Sequence, residues 1–234
     1  IGTSGWVYPH WRGVIYPEGS SERDWLRRYS EEFEAVEVNS SFYRLPSRAV
    51  FSAWKTSTPR DFVFAVKVSR FLTHRKKLKD PDEPVARFRD RVAGLGRKRG
   101  PWLFQLPPRW RPNVERLATL LRKRRPSETW VLEFREPAWH SEPVFELLER
   151  SGVAFCIHDL VPDCPLRTTA RVVYLRFHGV TGLNGRYGAT RLRPWSRRIE
   201  NWLSEGLDVH AYFNNDVAGH AVRDARKLKE LLGV

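Results

Sequence analysis

The sequence predicts an α/β fold, a single-domain TIM-type (β/α)8 barrel over residues 1–234, and three observations carry that prediction. Eight short runs rich in Val, Ile, Phe and Tyr recur along the chain, helical stretches separate them, and polar residues stand at the C-terminal end of each run. An open doubly wound sheet would show a glycine-rich phosphate turn after its first strand. Here that turn reads Gly2-Thr3-Ser4-Gly5-Trp6-Val7-Tyr8, which has the wrong spacing and leads into aromatics.

The expected strands are Ile1 to Gly5, Ala35 to Ser40, Phe62 to Ser69, Trp102 to Leu106, Thr129 to Arg135, Ala154 to Asp159, Val172 to His178 and Val209 to Asn214. Between the first and second, Ser21 to Glu32 opens with a capping-type Ser-Ser-Glu-Arg-Asp start. Ser47 to Thr56 follows, with Val50, Phe51 and Trp54 at helical spacing. Asp82 to Lys98, Asn113 to Arg124, Ser141 to Ser151, Trp195 to Glu205 and Val217 to Leu232 complete the expected helices. The link Leu160 to Arg171 is too short and too proline-broken for a full helix, so an irregular or missing helix is expected between strands six and seven.

Composition narrows the class further. Lys plus Arg number 41 against 27 Asp plus Glu, a formal charge of +14, while 41% hydrophobic and 13% aromatic residues exclude a disordered chain. No apolar run approaches the roughly 18 residues that a membrane span needs, so no membrane partner is expected. Cys156 and Cys164 form no CxxC pair or disulfide framework, which fits a reducing, cytoplasmic compartment. The chain opens inside an apparent strand and contains no methionine, so native residues are expected upstream of Ile1.

Side chains two apart on a strand share a face, so Glu37 with Asn39, Glu133 with Arg135, and Arg176 with His178 should each point one way, into the mouth of a closed barrel. Lys67, Gln105, His158 and Asn214 stand at equivalent strand ends. Lys67 is open to two readings, an anion contact or Schiff-base amine on one side and a countercharge to Glu37 or Glu133 on the other. A buried ion pair that serves the fold is the minority reading for Glu133 and Arg135. Loop aromatics next to basic residues, among them Trp6, Tyr43 and Trp139, suit a flat or phosphorylated ligand or else pack the loops together. Glu37, Glu133, His158, Asp159 and His178 are ligand types for zinc or manganese, but three cations share their ring. No cofactor is therefore expected, with a divalent metal as the minority reading.

The ordered motifs resemble one family. Gly2-Thr3-Ser4-Gly5-Trp6, Val36-Glu37-Val38-Asn39-Ser40-Ser41-Phe42-Tyr43 before Pro46, Phe64-Ala65-Val66-Lys67-Val68 and Gln105-Leu106-Pro107-Pro108 carry the first half of the likeness. Glu133-Phe134-Arg135 with Trp139, Tyr174-Leu175-Arg176-Phe177-His178-Gly179, and Tyr212-Phe213-Asn214-Asn215-Asp216 with Gly219 and Ala221 carry the second. Together they resemble the YecE-like family, domain of unknown function 72. That resemblance implies a TIM-barrel-type fold and no particular activity.

The residues themselves point to an anionic, phosphate-bearing ligand, either nucleic acid or a nucleotide or sugar phosphate. Lys67, Arg135 and Arg176 are expected to hold phosphate oxygens, with Glu133 or His178 as general acid or base and Lys67 as a third catalytic group. The ligand-binding set is expected to include Trp6, Glu37, Asn39, Tyr43, Gln105, Arg135, Trp139, His158, Arg176 and Asn214. If the protein is an enzyme, a hydrolase or nuclease-like phosphoesterase is favoured. The alternatives are an isomerase, lyase or hydrolase for a sugar-type substrate, and a binding module without chemistry.

Overall fold

The computed structural model describes residues 1–179 and 185–234. Eight strands close into a barrel in sequence order: β1 Gly2–Ser4, β2 Ala35–Val38, β3 Val63–Lys67, β4 Arg99–Gln105, β5 Trp130–Glu133, β6 Ala154–His158, β7 Val172–Phe177 and β8 Asp208–Phe213. Every pairing is parallel, and β1 joins β8 to complete the ring. The helices are α1 Glu22–Tyr29, the single turn α2 Ser40–Tyr43, α3 Arg48–Thr56, α4 Asp82–Val92, α5 Val114–Leu121, α6 Glu142–Arg150, α7 Gly188–Ser204 and α8 His220–Leu232.

Alternation along the strands sorts the side chains into two layers. Val36, Phe64, Phe104, Leu132, Phe155, Leu175 and Phe213 face outward and pack with Trp25, Phe51, Phe88, Leu117, Leu148, Ile199 and Leu228 from the helices. Ala35, Ala65, Leu103, Val131, Ala154, Cys156, Tyr174 and Tyr212 fill the interior of the barrel. Small residues dominate β2, β3 and β6 there, leaving room for the two tyrosines from β7 and β8. At Gly2 a Cβ would overlap the Ala35 carbonyl oxygen, so glycine lets β1 lie against β2. The Tyr29 hydroxyl fastens the same corner, since it accepts from Thr3 N (2.8 Å) and donates to Ala35 O (3.0 Å).

Three expectations change. The helix expected over Asp82 to Lys98 is α-helical only to Val92; Ala93–Lys98 tightens to a 3-10 segment in which Gly96 takes φ 57°, and β4 starts at Arg99. The last expected helix, Val217 to Leu232, begins at His220 after the left-handed Gly219. The helix expected from Trp195 begins instead at Gly188 and carries Pro194 inside it. Its start is fixed from far along the chain: the Asp224 carboxylate of α8 accepts from Tyr187 N and Gly188 N, each at 3.0 Å. Between β6 and β7 residues 160–171 form no helix, as the sequence implied. Thr169 holds that link in place by donating to Val153 O (2.7 Å) and accepting from Phe155 N (2.8 Å).

Candidate functional site

The register aligns the upper inward side chains into one polar layer. Ser4 lies beside Glu37, Gln105 beside Glu133, and His158 beside Arg176, which in turn neighbours Tyr212. Arg176 crosses the centre of the barrel and is 1% exposed. It donates to Glu37 through Nε (2.9 Å) and Nη2 (2.8 Å), and to Glu133 Oε2 through Nη1 (2.5 Å). Ser4 Oγ and Tyr174 OH supply further donors to Glu37, each at 2.7 Å. Arg135 Nε takes the other oxygen of Glu133 at 2.6 Å.

This arrangement fixes charge states. Burial by itself would raise the Glu133 carboxyl, but Arg176 and then Arg135 outweigh it and hold the group well below the usual carboxylate range. Glu37 is likewise held low, chiefly by Arg176 against the cost of burial. Both carboxylates are fully buried; Glu37 accepts four hydrogen bonds, which fills its lone pairs, and each oxygen of Glu133 is held by one arginine. Each nitrogen of Arg176 is likewise engaged within the barrel, by Glu37, Glu133 or His178.

The histidines divide in role. His158 is buried, with Nε2 3.0 Å from Phe134 O and Nδ1 accepting from Leu160 N at 3.3 Å, so both ring nitrogens serve the backbone. His178 Nε2 faces Arg176 Nη1 (3.1 Å) and Arg135 Nη2 (3.5 Å), which requires an acceptor nitrogen there. Its Nδ1 lies 3.3 Å from Asp159 Oδ1. Burial, together with Arg176, pushes the imidazole pKa down despite Asp159, so the ring is neutral and its basic nitrogen faces two guanidinium groups.

Above this layer opens a cleft of about 590 Å³ lined by Phe42, Tyr43, Lys67, Arg70, His74, Arg75, Gln105, Arg135 and Asn214. Four of the nine are cations and none is a carboxylate. Lys67 is buried at its floor, and Nζ lies over the Phe42 ring, 4.4 Å from the centroid. Burial, and next Arg176, bring its pKa down to about 8. His74 packs on the same Phe42 ring, centroids 4.9 Å apart, and is held at about 4 by burial and then by Lys67, Arg135 and Arg70. Arg70 lies over Tyr43 at 5.5 Å.

Of the expected site residues, Lys67, Tyr43, Gln105, Arg135 and Asn214 meet in this cleft, while Glu37, Glu133, His158, Arg176 and His178 form the layer beneath. Asn39 is half-buried past β2 with Oδ1 unpartnered, outside the cleft lining. Trp6 and Trp139 are buried and do not line the cleft. Trp6 packs edge-on against Trp54 at 4.9 Å. Trp139 stacks on Phe134 at 5.0 Å and donates to Trp110 O at 2.7 Å, so Trp6 packs against α3 and Trp139 against its neighbouring loop. Among the described residues no three His, Cys, Asp or Glu side chains gather to hold a metal ion, and no helix is long and apolar enough to cross a membrane.

Sequence reading missed Arg70, His74 and Arg75. His74 and Arg75 stand on a single π-helical turn, Phe71–Arg75, and Arg70 is the residue that caps its start, three residues past the end of β3. The available signal was the cluster of basic residues around Phe71 just past a strand end.

Fold and site together define a TIM-type α/β barrel protein with a cationic cleft at the C-terminal strand ends. The family described as "Protein of unknown function DUF72" matches residues 1–234, and the chain belongs to it. The UPF0759 protein YunF of Bacillus subtilis (strain 168) is 26% identical over 269 aligned positions, covering 100% of this chain and 94% of that protein. UPF0759 protein YecE of Escherichia coli (strain K12) is 30% identical over 112 residues, 48% of this chain and 39% of its own. A DUF72 family crystal structure from Thermotoga maritima MSB8 superposes with a TM-score of 0.88 at 28% identity, covering 100% of this chain and 98% of that one. A DUF72 family protein from Enterococcus faecalis V583 shares the fold at 19% identity and a TM-score of 0.83, covering 100% of this chain and 94% of that one.

Proposed function

We propose that the cleft binds a small phosphate-bearing ligand, its anionic group held between Lys67 and Arg135 with Arg70 and Arg75 at the rim. One observation carries this reading: four cations line the cleft with no carboxylate in its lining, and among the described residues only Arg135 of the four is paired, to Glu133 beneath. Gathering like charges around an open cavity is unfavourable without an anion, and planar guanidinium groups suit phosphate oxygens. Gln105 and Asn214 supply neutral polar contacts beside that position. The cleft volume lies within the roughly 300–1,000 Å³ typical of small-molecule sites, which favours a nucleotide or sugar phosphate over a long polymer. Hydrolysis driven by Glu133 or His178 has less support, because the oxygens of Glu133 and the basic nitrogen of His178 already face arginines.

Diffraction from crystals soaked in tungstate, a heavy phosphate analogue, tests the reading. An oxyanion peak within hydrogen-bonding distance of Lys67 Nζ and Arg135 is expected; peaks only elsewhere would overturn it.

A further inference from the structure

Lys67 differs from the other cations of the cleft. Arg70 and Arg75 are exposed and Arg135 is paired to Glu133, whereas Lys67 is buried and its Nζ has no hydrogen bond or ion pair to a described residue. A buried ammonium without a counter-ion is costly, and a neutral amine relieves that cost. The amine faces an open cleft whose remaining cations can hold an anionic group on the same molecule.

We infer that Lys67 forms an imine with the carbonyl carbon of a phosphorylated aldehyde or ketone whose phosphate lies against the arginines. The inference rests on the phosphate reading; once the imine forms, the arginines hold the phosphate and Lys67 holds the carbonyl carbon. The neutral amine attacks the carbonyl carbon, a C–N bond forms, and the carbonyl oxygen is protonated to a carbinolamine. The C–O bond then breaks, and the oxygen leaves as water with two hydrogens. Taken from the ammonium, the sum is Lys-NH3⁺ plus carbonyl giving protonated imine plus water, with no net proton exchanged and no oxidant or reductant required. Gln105 and Asn214 line the same cleft and can hydrogen-bond a carbinolamine hydroxyl formed within it. A pKa of about 8 leaves a far larger neutral fraction near pH 7 than an ordinary surface lysine has.

The probe is pyridoxal 5′-phosphate at equimolar concentration near neutral pH, followed by borohydride reduction and peptide mapping of the whole protein. The expected result is labelling of Lys67 at least about tenfold above any other lysine, slowed by inorganic phosphate. Mapping the wild-type chain avoids dependence on a variant's folding, and Lys67→Met should lose that label alone. Label spread over exposed lysines such as Lys77 and Lys79 with none on Lys67 would overturn the inference. Calorimetry with inorganic phosphate separates the two readings. Phosphate binding without a Lys67 adduct refutes the imine alone. A Lys67 adduct that forms equally with unphosphorylated pyridoxal supports the amine and contradicts the phosphate site.

Discussion

Arg176 on β7 and Glu37 on β2 meet across the barrel through two hydrogen bonds of 2.9 and 2.8 Å, both side chains fully buried. The pair lies in the buried layer beneath the cleft. Arg176 also reaches Glu133, so one cation balances two buried carboxylates, with Arg135 as the second.

Removing that cation should be expensive. Arg176→Met leaves Glu37 and Glu133 buried in the barrel with only Arg135 paired to one of them. Loss of one partner of a buried pair costs about 3–5 kcal/mol, and the tripartite arrangement places the loss at the upper end. Urea denaturation of the variant should show the midpoint fall; an unchanged midpoint would contradict the network's role.

Stability should also fall with pH in two stages. His74 and His210 are both held at about 4, the latter by burial, while their unfolded counterparts take up a proton near 6.5. As pH drops from 6.5 towards 4 the unfolded state binds protons that the folded state does not, so stability declines. Below the usual carboxylate value of 4.5, Glu37 and Glu133 extend the loss, because their folded-state values are depressed and their contribution disappears as pH falls through them. Urea midpoints measured from pH 7 downward should decrease throughout this range, and a flat profile would contradict these assignments.

The Tyr29 hydroxyl carries a local prediction. Tyr29→Phe leaves Thr3 N and Ala35 O without their partner in the buried corner between α1, β1 and β2. Each unsatisfied buried group costs about 1–3 kcal/mol, so the variant should lose at least that much in chemical denaturation.

Anion affinity should depend on pH through Lys67 alone among the cleft cations, since arginines stay charged. Below pH 8 the ammonium contributes a charge-assisted hydrogen bond, and above it the contribution fades. Phosphate binding should weaken about tenfold between pH 7 and 9, in line with the roughly 1.5–3 kcal/mol of such a bond. Lys67→Arg should abolish that step while retaining binding.

Much of the barrel is legible because parallel strands and amphipathic helices leave periodic patterns, and the polar strand ends mark Glu37, Lys67, Gln105, Glu133 and Arg176 as gathered at one end of the barrel. Which of them face a ligand is not legible locally. Glu133 and Arg135 pair within one strand end, but Arg176 meets Glu37 only once the ring closes, 139 residues apart in sequence. The Asp224 cap of α7 is long-range in the same way, which is why Pro194 and Trp195 gave a false start. Trp6 and Trp139 show the converse: an aromatic beside a strand end looks the same in sequence whether it faces the mouth or the outer layer.

Calorimetric titration of inorganic phosphate at low ionic strength near pH 7, into the wild-type protein and Lys67→Met, tests the central claim most directly. Saturable one-to-one binding by the wild type, at least about tenfold weaker in the variant, is predicted. Equal affinity in both proteins, or no binding to the wild type, would contradict an anion site built on Lys67.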